Sequence, residues 1–585
     1  MTRFNKHALL LITGLTAVLR TPSLFANSLQ ADEALFATWA REIAIWRDPL
    51  LQMQPIDKPP LLFYLQAFFY PLFGPVEFAA RMPNWIASIL LVPLVGLLAW
   101  KLYRRPGTAV LAAALLALFP LTIQFSSSAF TDSLLTFWLV AGLTAVANHK
   151  PGWGGLLFGL ALATKYQAVL FLPLLLGLGW FIGWRGQTWL RGLVGLLPPL
   201  LALFGWEWAR TGSFLLWQNQ INNFGGLRLS YSWELWPRFW AWIALWQTAV
   251  SPLILIIAIP TIGWLLWQHL RQGRRSINAS GYKTTPDKSG CKSPAGASLS
   301  SPTASASGGY GRLLFIFLLG YALFHWLFAI PVWDRYLLPL LPLLALLLAR
   351  TYGNLLNYLP PTHSILQFRG AIVILTLLLI SASWSARNGR YQLGSFPQAD
   401  QGTATIAATL ADVPYGTVLY DHWFSWQWRY QLFDKRVFVS WFPHGQALAD
   451  DLAAFGQDGS PRYLALPNTA VAQPIIRAVQ EAGFTLTAVS QTDDIILYQI
   501  YPQTCAERSR SITQISQINR KDHRYSGLSE QSFKKRLLFL RRQESILIKE
   551  LDTRLREYDT CTVTKNLCNL RNLRIASLRV GCEAV

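Results

Sequence analysis

The chain has 585 residues, 52% of them hydrophobic and 14% aromatic, with a mean hydropathy of +0.29. Only 14% are charged, against about 25% in an ordinary soluble domain, and apolar runs of about 17–25 residues recur, the length that crosses a bilayer as helix. This excludes a soluble globular protein. The formal charge of +21, from 51 basic and 30 acidic residues, comes with no compact basic domain, so it argues for Lys and Arg gathered in cytoplasmic loops rather than for nucleic-acid binding. The runs are continuous and do not alternate in and out, which predicts helices and not a barrel.

In chain order, about eleven spans are predicted near residues 8–25, 78–100, 108–124, 132–148, 153–165, 168–184, 192–209, 239–267, 312–330, 336–350 and 369–385. The first, "HALLLITGLTAVL", follows a basic start as a signal peptide would. It lacks a clear small-residue cleavage site and is read as an uncleaved span. Basic residues in "KLYRRPG" (101–107), "NHKPG" (148–152), "RGQTWLR" (185–191) and the segment after Gln268 mark one side as cytoplasmic, together with the N-terminus. The opposite side receives the loops 26–77, 125–132, 210–238 and 331–336, which hold almost every unusual polar residue.

Residues 271–311 are Ser/Gly/Pro-rich and aperiodic, and are expected to form a disordered cytoplasmic linker. From 386 to 502 the composition turns soluble-like. "GTVLYD", "RVFVSWF", "RYLALP" and "DIILYQIY" read as short buried strands, and "AQPIIRAVQEAG" as a helix, predicting a small α/β domain on the outer face. The tail 503–585 carries 17 basic against 9 acidic residues and four of the five cysteines. Cys291, Cys505, Cys561, Cys568 and Cys582 show no metal-ligand spacing.

Asp32 and Glu33 lie just beyond the first span. They are either solvated loop acids or a helix cap, or a functional pair, since ionisable groups at membrane level are costly. A carboxylate there can act as general base toward an acceptor hydroxyl or amine. Asp57 and Lys58 follow in the same loop, where Pro59 and Pro60 stiffen an extended elbow. Lys58 is an interfacial anchor or a point charge for a phosphate.

"DEALFATWAREIAIWRDPLLQMQPIDKPPLLFYLQAFFYPLFGPVEFAARMPNWIASIL" (32–90) resembles the first part of the protein O-mannosyltransferase-like and aminoarabinose-transferase-like family, integral-membrane glycosyltransferases of the GT-C fold. The matching elements are the Asp-Glu pair, an acid-Lys-Pro-Pro elbow, "LFG" and "AARMPN". "TDSLLTFWLV" (131–140) resembles the family's second acidic loop, "GLLFGLALATKYQAVLFLP" (155–173) its Gly-rich helix leading to a lysine, and "DRYLLPLLPLLALLLAR" (334–350) its Arg-Tyr/Pro helix. The likeness covers most of 8–385, without the linker or the tail.

The resemblance implies an all-α polytopic membrane domain (1–385), followed by the α/β extracytoplasmic domain (386–502) and a tail of no assigned role (503–585). It implies sugar transfer from a polyprenyl-phosphate donor to a lipid, protein or glycan acceptor on the outer face. Asp32 and Asp132 take the catalytic positions. Glu33, Lys58, Arg81, Lys165, Arg335 and Tyr336 take substrate-binding ones, with cations placed where negative charge develops on the leaving phosphate. In the aminoarabinose-transferring relatives the elbow acid and a loop histidine contribute to a metal site. Asp57 supplies that acid here, but loop 210–238 has no histidine, leaving a carboxylate-bound divalent ion as an open alternative. Arg228, Glu234 and Arg238 either shape the acceptor entrance or belong to an interfacial belt. A transporter of lipid-linked saccharide is the competing class. It predicts internal repeats and ionisable groups at the midplane, whereas no repeat is found and the charges cluster in loops.

Overall fold

The computed structural model describes residues 3–25, 29–222, 226–252, 254, 263, 303–355, 370, 373–374, 377, 379–388 and 402–503. The expected linker over 271–302 and the tail from 504 onward lie outside them.

The first apolar run is helix α1 (Arg3–Arg20). After it, α2 (Ala31–Ala44) begins at a reciprocal cap: the Gln30 side chain accepts from the Asp32 N–H, and Glu33 accepts from the Gln30 N–H. This arrangement satisfies two of the orphan donors that open a helix. The Asp57–Pro60 elbow stays non-helical and leads into α3 (Leu61–Phe73). Next comes α4 (Glu77–Tyr103).

Helix α5 (Pro106–Leu118) meets α6 (Pro120–Gln124) at a 64° bend. Pro120 has no N–H and its ring clashes with the preceding turn, so the helix cannot run through. Helices α7 (Thr131–Ala147) and α8 (Pro151–Thr164) form a hairpin. Lys165 then adopts an extended conformation before a 3₁₀ turn and α9 (Leu172–Phe181).

There follow α10 (Gly186–Thr211), α11 (Leu216–Asn222), α12 (Ser232–Val250) and α13 (Thr303–Leu327). A 3₁₀ stretch, Asp334–Leu340, precedes α14 (Leu341–Leu355). Helix α13 starts at Thr303, inside the segment expected to be linker, so that segment reaches no further than 302.

Among the described residues, five helices are long and apolar enough to cross a membrane, or six if the bent α5–α6 pair is one span. Four shorter apolar helices accompany them, Leu61–Phe73, Thr131–Ala147, Pro151–Thr164 and Tyr166–Phe181. The protein is a multi-pass membrane protein. The break at Pro120 divides the expected span 108–124, while those at Lys165 and Asp334–Leu340 carry polar side chains into the bundle interior.

Helices α8 and α10 touch backbone to backbone. A Cβ on Gly155 would sit 1.9 Å from the Gly192 carbonyl oxygen, and one on Gly195 1.9 Å from that of Gly152. Small residues at such crossings permit the close approach that drives helix association in lipid. Gly155→Leu is therefore expected to cost several kcal/mol, above the usual ~1–3 kcal/mol of overpacking, because backbone must move. A thermal-shift measurement in detergent checks this, with Gly205→Ala, where no neighbour lies within 4 Å, as the unaffected control.

Residues 402–502 form an α/β lobe. Its sheet has the order β2-β1-β3-β5-β4, with β1 Thr417–Asp421, β2 Val437–Trp441, β3 Arg462–Pro467, β4 Phe484–Gln491 and β5 Ile495–Pro502. Strand β1 pairs in parallel with β2 and β3, while β5 is antiparallel to β3 and β4. Helices α15 (Thr403–Thr409) and α16 (Ser425–Gln431) cover one face of the sheet. Helices α17 (Gly445–Phe455) and α18 (Gln473–Glu481) cover the other.

The lobe docks through α16. Arg41 of α2 donates to the Tyr430 carbonyl at 2.7 Å and pairs with Asp434. Tyr430 donates to the Pro75 carbonyl at 3.0 Å, and Gln431 to Glu77 at 2.9 Å.

Candidate active site

Several chain breaks and helix starts converge on one polar cavity. Asp32 comes from the first turn of α2, Asp57 and Lys58 from the elbow, Thr131 and Asp132 from the start of α7. Lys165 comes from the α8–α9 break, and Trp333, Arg335 and Tyr336 from the 3₁₀ stretch and its approach. With Phe36 and Gln220 these residues line a space of about 230 Å³.

Three carboxylates alternate with three cations. Arg335 donates to Asp32 at 2.7 Å, Lys165 to Asp132 at 2.6 Å and Lys58 to Asp57 at 2.6 Å. The Arg335 guanidinium also lies 4.0 Å from the Trp333 ring centre, and the Lys165 ammonium 5.1 Å from that of Tyr336. Burial alone pushes the Asp32 carboxyl up. Arg335, then Lys58 and Lys165, pull it further down, so it stands below the ordinary carboxylate range. Of the three carboxylates Asp32 is the most open, its side chain 33% exposed against 14% for Asp57 and 1% for Asp132.

An apolar space lies beside the cavity. Lys165, Gln220 and Tyr336 also line a space of about 350 Å³ walled by Tyr166, Val169, Leu170, Trp217, Leu227 and Phe324. A third apolar space of about 260 Å³ adjoins it across His325. His325 is packed within its helix, stacked 4.1 Å from the Tyr321 ring with its Nδ1 3.0 Å from the Tyr321 carbonyl.

The sequence model of a family described as dolichyl-phosphate-mannose-protein mannosyltransferase matches residues 57–205. A relative from Pseudomonas aeruginosa (strain LESB58), named undecaprenyl phosphate-alpha-4-amino-4-deoxy-L-arabinose arabinosyl transferase, is 28% identical over 265 residues, 41% of this chain and 47% of that protein. The protein of the same name from Pseudomonas paraeruginosa is 31% identical over 41% of this chain and 46% of its own length. The chain thus spans about half the length of the curated relatives it matches. The crystal structure of ArnT from Cupriavidus metallidurans superposes with a TM-score of 0.51 at 16% identity, covering 84% of this chain and 97% of that one. The chain shares the fold of that structure over most of its length.

Within this fold the cavity gathers Asp32, Asp57, Lys58, Asp132, Lys165, Arg335 and Tyr336. Glu33 and Arg81 lie outside its lining, 1% and 3% exposed and 3.8 Å apart. The metal site implied by the family resemblance does not fit these residues. Asp57 accepts from Lys58, and among the described residues no group of three or more His, Cys, Asp or Glu could hold an ion. Arg238 donates to the carbonyls of His325, Phe328 and Ile330 at the end of α13, and Arg228 pairs with Glu234 at 2.8 Å.

Sequence reasoning did not single out Phe36, Gln220 or Trp333. Phe36 follows Asp32 by one helical turn, and Trp333 stands two residues before Arg335; both spacings carried a usable signal. Gln220 carried none.

Proposed function

We propose that this protein is an integral-membrane glycosyltransferase that moves a sugar from a polyprenyl-phosphate carrier to a lipid, protein or glycan acceptor on the extracytoplasmic face. The observation that carries this reading is the junction at Lys165, Gln220 and Tyr336, side chains shared by a charge-matched polar cavity and an adjacent apolar space. An anionic head with a long apolar tail fits that pair of environments. The Pseudomonas relatives are named for a sugar on undecaprenyl phosphate, a molecule of this shape.

In the reaction, the acceptor oxygen or nitrogen attacks the anomeric carbon, and the carbon–oxygen bond to phosphate breaks. The electron pair leaves with the polyprenyl phosphate, and Asp32 accepts the acceptor's proton. Lys58, Lys165 and Arg335 share their charge between the resident carboxylates and the phosphate oxygens, where negative charge builds up. Asp132 keeps Lys165 ionised and aimed at the cavity.

The face assignment rests on the two ends of the bundle. The cavity residues start α7 and end α8, while the basic turn at Lys150 joins the other ends of the same two helices. Lys101, Arg104, Arg105, Arg185 and Arg191 lie in or beside the other cytoplasmic turns predicted from the sequence. The positive-inside rule then makes that end cytoplasmic and the cavity end extracytoplasmic. On this reading residues 1–385 carry the transfer site, 386–502 stand outside, and 503–585 form a tail of no assigned role.

The test is transfer in nanodiscs from a panel of labelled undecaprenyl-phosphate sugars to cell-envelope acceptors. Label is expected on an acceptor and free undecaprenyl phosphate as co-product. Movement of intact lipid-linked sugar between leaflets without transfer would overturn the reading in favour of a transporter.

A further inference from the structure

Glu33 is fully buried behind the cavity, and its two oxygens serve two different parts of the chain. Oε2 accepts from the Gln30 N–H at 3.0 Å, at the start of the helix that carries Asp32. Oε1 accepts from the Ala129 N–H at 2.6 Å, in the loop that leads to Asp132. Arg81 of α4 stands 3.8 Å from the same Oε1. One turn further along α4, Asn84 donates to the Ser128 and Phe130 carbonyls at 2.6 and 2.5 Å, holding that loop from the other side. The Asp32 and Asp132 segments, distant in sequence, are thus joined by one carboxylate at a fixed span.

We infer that Glu33 is a positioning residue: it sets the separation between the Asp32–Arg335 and Asp132–Lys165 pairs, and so the spacing of the cations that meet a phosphate. Its effect on ligand rests on the transferase reading above; its effect on the loop does not. A carboxylate that never touches substrate acts here through its length as much as its charge. Displacing one pair by the ~1 Å that a missing methylene would allow is enough to spoil a shared phosphate contact.

Two substitutions separate length from charge. Glu33→Gln keeps the length and one acceptor oxygen for the Ala129 N–H, and loses both the charge and the bond from the Gln30 N–H. Glu33→Asp keeps the charge beside Arg81 and falls one methylene short of Ala129. Both are made in the full chain in nanodiscs. Two quantities are read: hydrogen–deuterium exchange of the 125–131 segment, and affinity for undecaprenyl phosphate followed by tryptophan fluorescence.

Glu33→Asp is expected to speed exchange in 125–131 and weaken undecaprenyl-phosphate binding, each by about tenfold or more, and Glu33→Gln to lose clearly less than Glu33→Asp on both. Wild-type protection in Glu33→Asp overturns the proposal. So does a loss in Glu33→Gln as large as in Glu33→Asp, or faster exchange in Glu33→Asp with unchanged affinity. A wild-type protein that fails to bind undecaprenyl phosphate counts against the transferase reading, and the exchange comparison then decides the clamp alone.

Discussion

Asp32→Asn is expected to lower the turnover of sugar transfer by about 10²–10⁴-fold, the range lost when a positioned general base is removed, while the donor KM does not rise. The amide of the variant still offers a carbonyl oxygen to the Arg335 Nη1 now 2.7 Å from Asp32, so the arginine keeps its place. The cavity also loses one of the three negative charges that oppose an incoming phosphate, which favours donor binding. A fall in kcat with KM flat or lowered marks an interaction made in the transition state. A KM rise with kcat preserved would make Asp32 a donor ligand and remove it as base.

The pH dependence has a definite sign. The Asp32 carboxyl is depressed because its cationic neighbours outweigh burial. Its charged form therefore persists as pH falls and is lost only below the ordinary carboxylate range. Transfer rates measured from pH 8 down to pH 5 should show no acid limb from this group. A limb in that window that vanishes in Asp32→Asn would contradict the pairing with Arg335.

Much of the cavity was legible because charge is scarce in this chain. In a sequence that is 14% charged, an acid or base outside the basic turns needs a reason, and Asp32, Lys58, Asp132, Lys165 and Arg335 all reach one space. The orientation of neighbours was less accessible. Glu33 follows Asp32 by one residue, and on a helix that turns the side chain by about 100°, out of the cavity and into the core against Arg81. Before the chain is folded, nothing in "DE" says which acid faces which way.

Within the expected span 108–124 the run stays apolar through Pro120, where the helix bends by 64°. The start of α13 was misread because "TASASGGYG" has linker composition. Two of its glycines are packing residues, since a Cβ on Gly309 would meet the Phe181 ring at 2.8 Å and one on Gly311 would collide with Arg350. In the lobe, β1, β2, β3 and β5 announced themselves by apolar runs, whereas the polar, half-exposed β4 did not.

The buried pair Asp132–Lys165 allows stability and function to be pulled apart. The side chains are 1% and 5% exposed and 2.6 Å apart. Removing one partner leaves the other charged and desolvated, a loss of about 3–5 kcal/mol. Asp132→Asn and Lys165→Met should therefore each lower the melting temperature in detergent. In the double variant no uncompensated charge remains, and a thioether replaces an ammonium of similar length, so stability should return to near the wild-type value. Transfer should not return. The double variant lacks the cation at the junction between the polar cavity and the apolar groove, and losing one charge-assisted contact to the leaving phosphate costs about 10²–10³ in rate. Recovered stability with absent transfer would identify Lys165 as a group that acts on substrate. Recovery of both would reduce the pair to a strut between α7 and α8, leaving Lys58 and Arg335 as the cations available to a phosphate in this cavity.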